Sequence, residues 1–148
     1  MVGYSECETH SLLREKIQHY LIELSPIKVI SGMAQGVDQI AAEVAMDLFF
    51  DVVAAVPFEG QETLWPEPAQ IKYWELLLKC VDVREICEPG YAAWKMMKRN
   101  QWMVDNCDVL IAVWDGSSGG TKNCVDYATS KEKTIIRIDP KELKNEQQ

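Results

Sequence analysis

An α/β fold built on a parallel sheet is what this sequence predicts, and three observations carry it. From residue 27 onward, short β-branched or apolar runs alternate with segments of helical period. That is the order of a sheet whose neighbouring strands are joined by crossover helices. Within one of those segments Val37, Ile40, Ala41, Val44, Ala45 and Leu48 recur at helical spacing and draw a single apolar stripe. The 148 residues are 47% hydrophobic and 26% charged, which suits one folded domain with its own core rather than a disordered chain.

Taken in order, the strands are expected at Ile27 to Ser31, Val52 to Val56, Val81 to Ile86, Val109 to Trp114 and Thr134 to Ile138. Helices are expected at Thr9 to Leu24, on the stripe Leu13, Ile17, Leu21, Leu24, then along the stripe from Val37, at Pro68 to Lys79, at Tyr91 to Asn106 and at Thr121 to Lys131. The chain therefore opens on a helix with no strand before it. Residues 1–148 read as one domain, with the polar stretch 141–148 as a frayed tail.

Charge narrows the partners. The net charge of −8 from 23 acidic and 15 basic residues repels a phosphate backbone unless the cations gather on one face, and no such gathering is visible. Nucleic acid is thus disfavoured. Five widely spaced cysteines, Cys7, Cys80, Cys87, Cys107 and Cys124, contain no C-x-x-C pair, and only two histidines stand beside them. They read as buried free thiols in a reducing compartment, with no metal site. No apolar run long enough to span a bilayer occurs, and the N-terminus carries no basic-then-apolar leader. The expected location is the cytoplasm, away from membranes.

In an open parallel sheet, ligands bind beyond the carboxyl ends of the strands. Two of the runs found there are rich in glycine: Gly32-Met33-Ala34-Gln35-Gly36-Val37-Asp38 and Asp115-Gly116-Ser117-Ser118-Gly119-Gly120-Thr121. In both, glycine lets backbone N–H groups turn toward a ligand, and the helix that follows offers its positive end to an anion. Neither ends in G-K-[ST], so a nucleoside triphosphate with magnesium is not indicated. A third run, Pro57 to Pro66, is long, polar and aromatic. In it Phe58 and Trp65 could stack on a base or ribose, with Gln61 and Glu62 bonding its polar edge, or Trp65 could merely anchor the loop. Arg99-Asn100 lies on the helix before the fourth strand, where an arginine could pair a phosphate or simply face solvent. Asp38, Asp105, Asp108 and Asp115 could serve a metal or acid/base chemistry, but Asp38 sits in the first turn of a helix and Asp105 and Asp108 flank a helix end and a strand start, so structural use is expected.

These residues resemble the SLOG superfamily, named for its SMF/DprA and LOG members, and most closely its YpsA-related branch, over Gly3 to Pro140. The resemblance rests on Ser31 to Asp38, on Pro57-Phe58 with Gly60-Gln61-Glu62 and Trp65-Pro66, on Arg99-Asn100-Gln101-Trp102-Met103, and on Trp114-Asp115-Gly116 leading into Gly119-Gly120-Thr121. It implies a Rossmann-like three-layer parallel sheet of about five strands with helices on both faces. It also implies that a nucleotide or nucleotide-derived molecule, ADP-ribose-like or cyclic, is held at the glycine loops. The residues it points to for that ligand are Gly32, Met33, Gln35, Gly36, Asp38, Pro57, Phe58, Gln61, Trp65, Arg99, Asn100, Asp115, Gly116, Ser118, Gly119, Gly120, Thr121 and Asn123. No cofactor is called for.

Two departures from the pattern shape the expectation. The LOG glutamate that assists N-glycosidic cleavage falls where this chain has Asn123 and Cys124. An amide or thiol cannot supply that charge to an oxocarbenium-like transition state, so binding as a sensor or sequestering protein is favoured over hydrolysis, with no catalytic residue named. A LOG-type phosphoribohydrolase and a DprA-like DNA-processing accessory are the alternatives. YpsA-like chains also begin with a strand ending in T-G-H-R-P, a motif that would already be finished near Gly3-Tyr4 here. The resemblance then implies a sheet lacking that strand, its edge supplied by a second subunit or an upstream segment, and hence a homo-oligomer.

Overall fold

The computed structural model describes residues 6–146, with side chains from 10 to 143. The elements are α1 (Glu6–Leu24), β1 (Lys28–Ser31), α2 (Val37–Asp47), β2 (Asp51–Val56), α3 (Glu67–Lys79), β3 (Asp82–Glu85), α4 (Ala93–Asp105), β4 (Val109–Val113), α5 (Gly120–Ser130), β5 (Thr134–Ile138) and α6 (Pro140–Glu146). Every expected strand and helix is present, with bounds shifted by a few residues. The position at which an additional first strand would end lies at residues 1–5, outside the described residues.

All strand pairs are parallel, but the five strands form two ladders rather than one: β1-β2-β3 and β4-β5. β2 is the centre of the first ladder. Its run Val52 to Val56 is buried throughout, which a strand covered on both faces requires, and so it reads as continuous apolar sequence rather than alternation. β3 is the opposite case, an edge strand exposed at all four residues.

Helix placement follows from crossover handedness. The right-handed crossovers from β1 to β2 and from β2 to β3 put α2 and α3 on one face of the first ladder. The packing agrees: α2 contacts α1 and α3, α1 contacts α6, and α4 contacts α5. The core is shared by both ladders. Leu13, Ile17 and Leu21 of α1 meet Ile40 and Val44 of α2, Val52 and Val56 of β2, Tyr73 and Leu76 of α3, and Ile138 and Leu143 from the far end of the chain. Each such aliphatic side chain contributes about 1.5–3 kcal/mol of burial.

The stretch from residue 141, expected to fray, instead belongs to α6 as far as Glu146. Pro140 opens that helix at the position where a missing N–H costs nothing, and Leu143, 2% exposed, inserts into the core. The cysteines also depart from expectation. Cys80, Cys87, Cys107 and Cys124 are free but half-buried rather than buried, and the side chain of Cys7 lies outside the described residues. Among the described residues no helix is long and apolar enough to cross a membrane.

Candidate functional site

The loop between β1 and α2 is held from within. Ser31 Oγ donates to the Asp38 carbonyl at 2.8 Å and accepts the Met33 N–H at 3.1 Å. Gln39 Nε2 donates to the Met33 carbonyl at 3.2 Å. These bonds hold Met33, fully buried, in the left-handed region at φ 58°, a conformation that a non-glycine residue keeps only when its surroundings fix it. The loop then enters α2 through Gly36, whose φ of 94° excludes a side chain at low cost. No side chain caps that helix start.

Arg99 of α4 closes the loop across the ends of β1 and β2. Its guanidinium is 6% exposed, and Nη1 donates to the Gly32 carbonyl at 2.7 Å and to the Ala55 carbonyl at 3.3 Å, while Nε donates to Asn100 Oδ1 at 3.0 Å. The contact requires glycine at position 32, because a Cβ there would lie 2.5 Å from Nη1 and 2.9 Å from Asp38 Oδ2. Burial pushes the Asp38 carboxyl upward, with Arg99 and the Ala34 N–H pulling it back. Burial likewise lowers Arg99, opposed by Asp38.

The Pro57 to Pro66 loop packs inward. Pro57 is fully buried and Phe58 is 3% exposed, with its ring edge-on to Tyr91 and under the Lys95 ammonium at 5.7 Å. Gln61 Nε2 is committed to the Gly32 carbonyl and the Tyr73 hydroxyl, both at 3.3 Å. Trp65 stands edge-on to Tyr73 with centroids 5.3 Å apart. The aromatics foreseen as stacking groups are thus engaged with protein, and Trp65 takes the anchoring role.

The loop between β4 and α5 is open by contrast. Gly116, Ser118, Gly119, Gly120, Thr121 and Asn123 are all exposed. Gly119 enters α5 at φ 142° without a side-chain cap, and a Cβ at Gly119 or Gly120 would meet nothing within 4 Å. Uncapped N–H groups therefore face unfilled space at a positive helix end. A cavity of about 330 Å³ lies here, lined by Val113, Trp114, Asp115, Ser117 to Thr121, Pro140 and Lys141. Hydrogen bonds from the Ser117 hydroxyl and amide hold the Asp115 carboxyl below its usual range.

Sequence reasoning missed two cations beside this cavity. Arg137 of β5 lies over the Trp114 ring at 4.9 Å and donates from Nε to the Trp114 carbonyl at 3.0 Å. Lys141 opens onto the cavity wall. The available signal was the β4-α5-β5 unit itself, since a right-handed crossover sets β5 beside β4 and the residues after Ile138 beside the glycine loop. Lys95 was missed too. Its ammonium donates to the carbonyls of Glu88 and Gly90 at 2.7 Å and of Pro89 at 3.3 Å, fixing the turn before α4.

The Cys124 thiol on α5 and the Asp38 carboxyl on α2 act electrostatically on each other and both act on Arg99. The open cavity, however, is lined by the second loop and by none of Gly32 to Gly36. Of the expected residues, Asp115 to Thr121 gather at open space, Gln35 is exposed at the first loop, Gly36, Asp38 and Asn100 are half-buried around Arg99, and Gly32, Met33, Pro57, Phe58 and Gln61 form the support beneath. Among the described residues no three His, Cys, Asp or Glu side chains gather as a metal cluster.

Burial pushes the Cys124 thiol up to about 11, with Cys107 and Asp38 adding to burial and Arg99 opposing it. At pH 8 its thiolate fraction is on the order of 10⁻³, against about a quarter for an ordinary thiol. Iodoacetamide is therefore expected to alkylate Cys124 more slowly than a free cysteine at that pH, by about 200-fold if reactivity follows the thiolate fraction. Peptide mass spectrometry over time measures this, and a rate equal to that of free cysteine would contradict the burial.

A parallel α/β scaffold with glycine turns leading from strand ends into helix N-termini defines a Rossmann-like protein. Comparison with known proteins specifies the family. The profile of the YspA SLOG family matches residues 8–143, and the chain belongs to that family. It is 30% identical over 128 residues to the uncharacterized SPbeta prophage-derived protein YoqJ of Bacillus subtilis, covering 76% of this chain and 75% of that protein. It is 27% identical over 139 residues to UPF0398 protein OB1025 of Oceanobacillus iheyensis, covering 88% and 75% respectively. Among solved structures, DNA processing protein A (DprA) from Streptococcus pneumoniae superposes with a TM-score of 0.65 at 18% identity, over 92% of this chain and 48% of that one. The chain thus spans about half of the DprA chain, and the likeness extends to the fold.

Proposed function

We propose that the protein binds a nucleotide-derived small molecule bearing a phosphate or diphosphate, and acts as a sensor or a sequestering protein. The observation that carries this reading is the uncapped start of α5. There Gly119 and Gly120 leave backbone N–H groups facing open space, with Lys141 on the cavity wall, and such a helix end stabilises an anion. The second uncapped start, at Gly36, is a further helix end that suits a ligand with two anionic groups or one extended anion.

Binding is favoured over turnover. Asn123 is a neutral amide, and Cys124, with its thiol held near 11, is neutral at physiological pH, so neither can act as a carboxylate toward an oxocarbenium-like centre. DNA as the partner is disfavoured by the net charge of −8.

Thermal shift against AMP, ADP, ADP-ribose and cyclic dinucleotides tests the proposal. A ligand present at 100 times its Kd adds ~2.7 kcal/mol, which for a chain of this size raises Tm by roughly 5–10 °C. An unmoved Tm with every member of that panel at millimolar concentration would sink the reading.

A further inference from the structure

The β3 edge carries a surface that the ligand site does not use. Among the described residues, nine of the thirteen large exposed hydrophobics fall between Leu64 and Met97, on the elements around β3. An edge strand with a row of unpaired N–H and C=O groups is a template for another strand, and a contiguous apolar surface beside it marks an interaction site.

The position of α3 shows that this surface is built beside the edge. Lys72 bonds Glu43 of α2 at 2.9 Å, which fixes one flank of α3 against α2. At 100° per residue, Tyr73, Leu76 and Leu77 occupy the arc that turns toward the sheet, Trp74 stands at about 200° from Lys72 on the flank away from α2, and Leu78 and Ile71 follow at about 240–260°, turned from that flank toward solvent. The right-handed crossover from β2 to β3 sets that flank toward the free side of β3. Leu78 is 87% exposed, and Val81 and Val83, a few residues on, are exposed as well.

The strand is self-complementary. Antiparallel pairing about a two-fold axis at Val83 sets Val83 against Val83, and Asp82 of each copy opposite Arg84 of the other. Within one chain these two side chains already bond each other at 2.7 Å while remaining largely exposed. Pairing about the midpoint of Val83 and Arg84 would oppose Asp82 to Glu85, a like-charge contact. Charge therefore selects the register at Val83, and a two-fold axis presents the same apolar flank of α3 from both copies.

We propose that two copies of this chain associate through antiparallel β3 edges centred on Val83, with Ile71, Trp74 and Leu78 covering the seam. Light scattering on the purified chain at micromolar concentration is then expected to give the mass of two chains. Leu78→Glu, a change at an exposed position that leaves the melting curve in place, returns the mass to one chain. Asp82→Arg and Arg84→Asp each weaken the dimer by about tenfold, and the double swap restores it. A one-chain mass for the unaltered protein overturns the proposal. A two-chain mass retained by Leu78→Glu, or a double swap as weak as its single parents, overturns it as well.

Discussion

Gly32→Ala is expected to destabilise the fold by about 3 kcal/mol, or roughly 6–12 °C in Tm, although it adds a single methyl group. The new Cβ would stand 2.5 Å from Arg99 Nη1, 2.7 Å from Cζ and 2.9 Å from Asp38 Oδ2. An exposed arginine would swing away. This one is 6% exposed and holds the carbonyls of Gly32 and Ala55, so moving it strands a buried cation, takes the side-chain donor from Ala55 and leaves Gly32 with Gln61 alone. The same geometry predicts non-additivity. Arg99→Ala alone should cost several kcal/mol, but in the Gly32→Ala background it removes the clash as well as the bonds. The double variant should therefore be more stable than the sum of the two losses by more than about 1 kcal/mol. Chemical denaturation of the four proteins measures this, and additive losses would show that Arg99 is not what position 32 must accommodate.

Gly120→Val is the converse case, expected to leave stability within about 1 kcal/mol and to weaken binding of a responsive nucleotide about 100-fold. A side chain at Gly120 meets no protein atom within 4 Å, so the fold has no reason to object. The branched group would fill the space through which an anion reaches the first N–H groups of α5. Calorimetric titration reads the affinity and a melt reads the stability. Unchanged affinity would move the ligand away from this helix start. The two glycines thus separate roles that look alike in sequence: Gly32 is small because protein fills the space beside it, and Gly120 is small beside space that protein leaves empty.

How far the sequence revealed this can be followed residue by residue. The stripe from Val37 to Leu48 and the continuous apolar run Val52 to Val56 are local signals, read at helical period and as a doubly covered strand, and both elements stand where they were expected. The glycine loops were legible for the same reason, since backbone turns write themselves into composition. What side chains do across the fold was not. Phe58, Gln61 and Arg99 are of types that bind ligands, and nothing local to them says that Tyr91, Tyr73 and the Gly32 carbonyl already occupy them. Arg137 and Lys141 reach the second loop only because β5 pairs with β4, a contact between distant segments. The division into two ladders was also hidden, because period and composition report strands and not their neighbours. The helix α6 could have been read from Pro140 as a start and from Leu143 as a buried anchor in an otherwise polar stretch.

The account as a whole depends on the uncapped start of α5, Gly119 to Thr121, receiving an anion, with the start at Gly36 to Asp38 as its second anionic subsite. Amide chemical-shift mapping during titration with ADP-ribose, or with whichever nucleotide raises Tm, examines both starts at once. The account predicts that the N–H resonances of both segments move together along one saturation curve. Shifts confined to other parts of the chain, or to the first start with Gly119 to Thr121 unmoved, would contradict it.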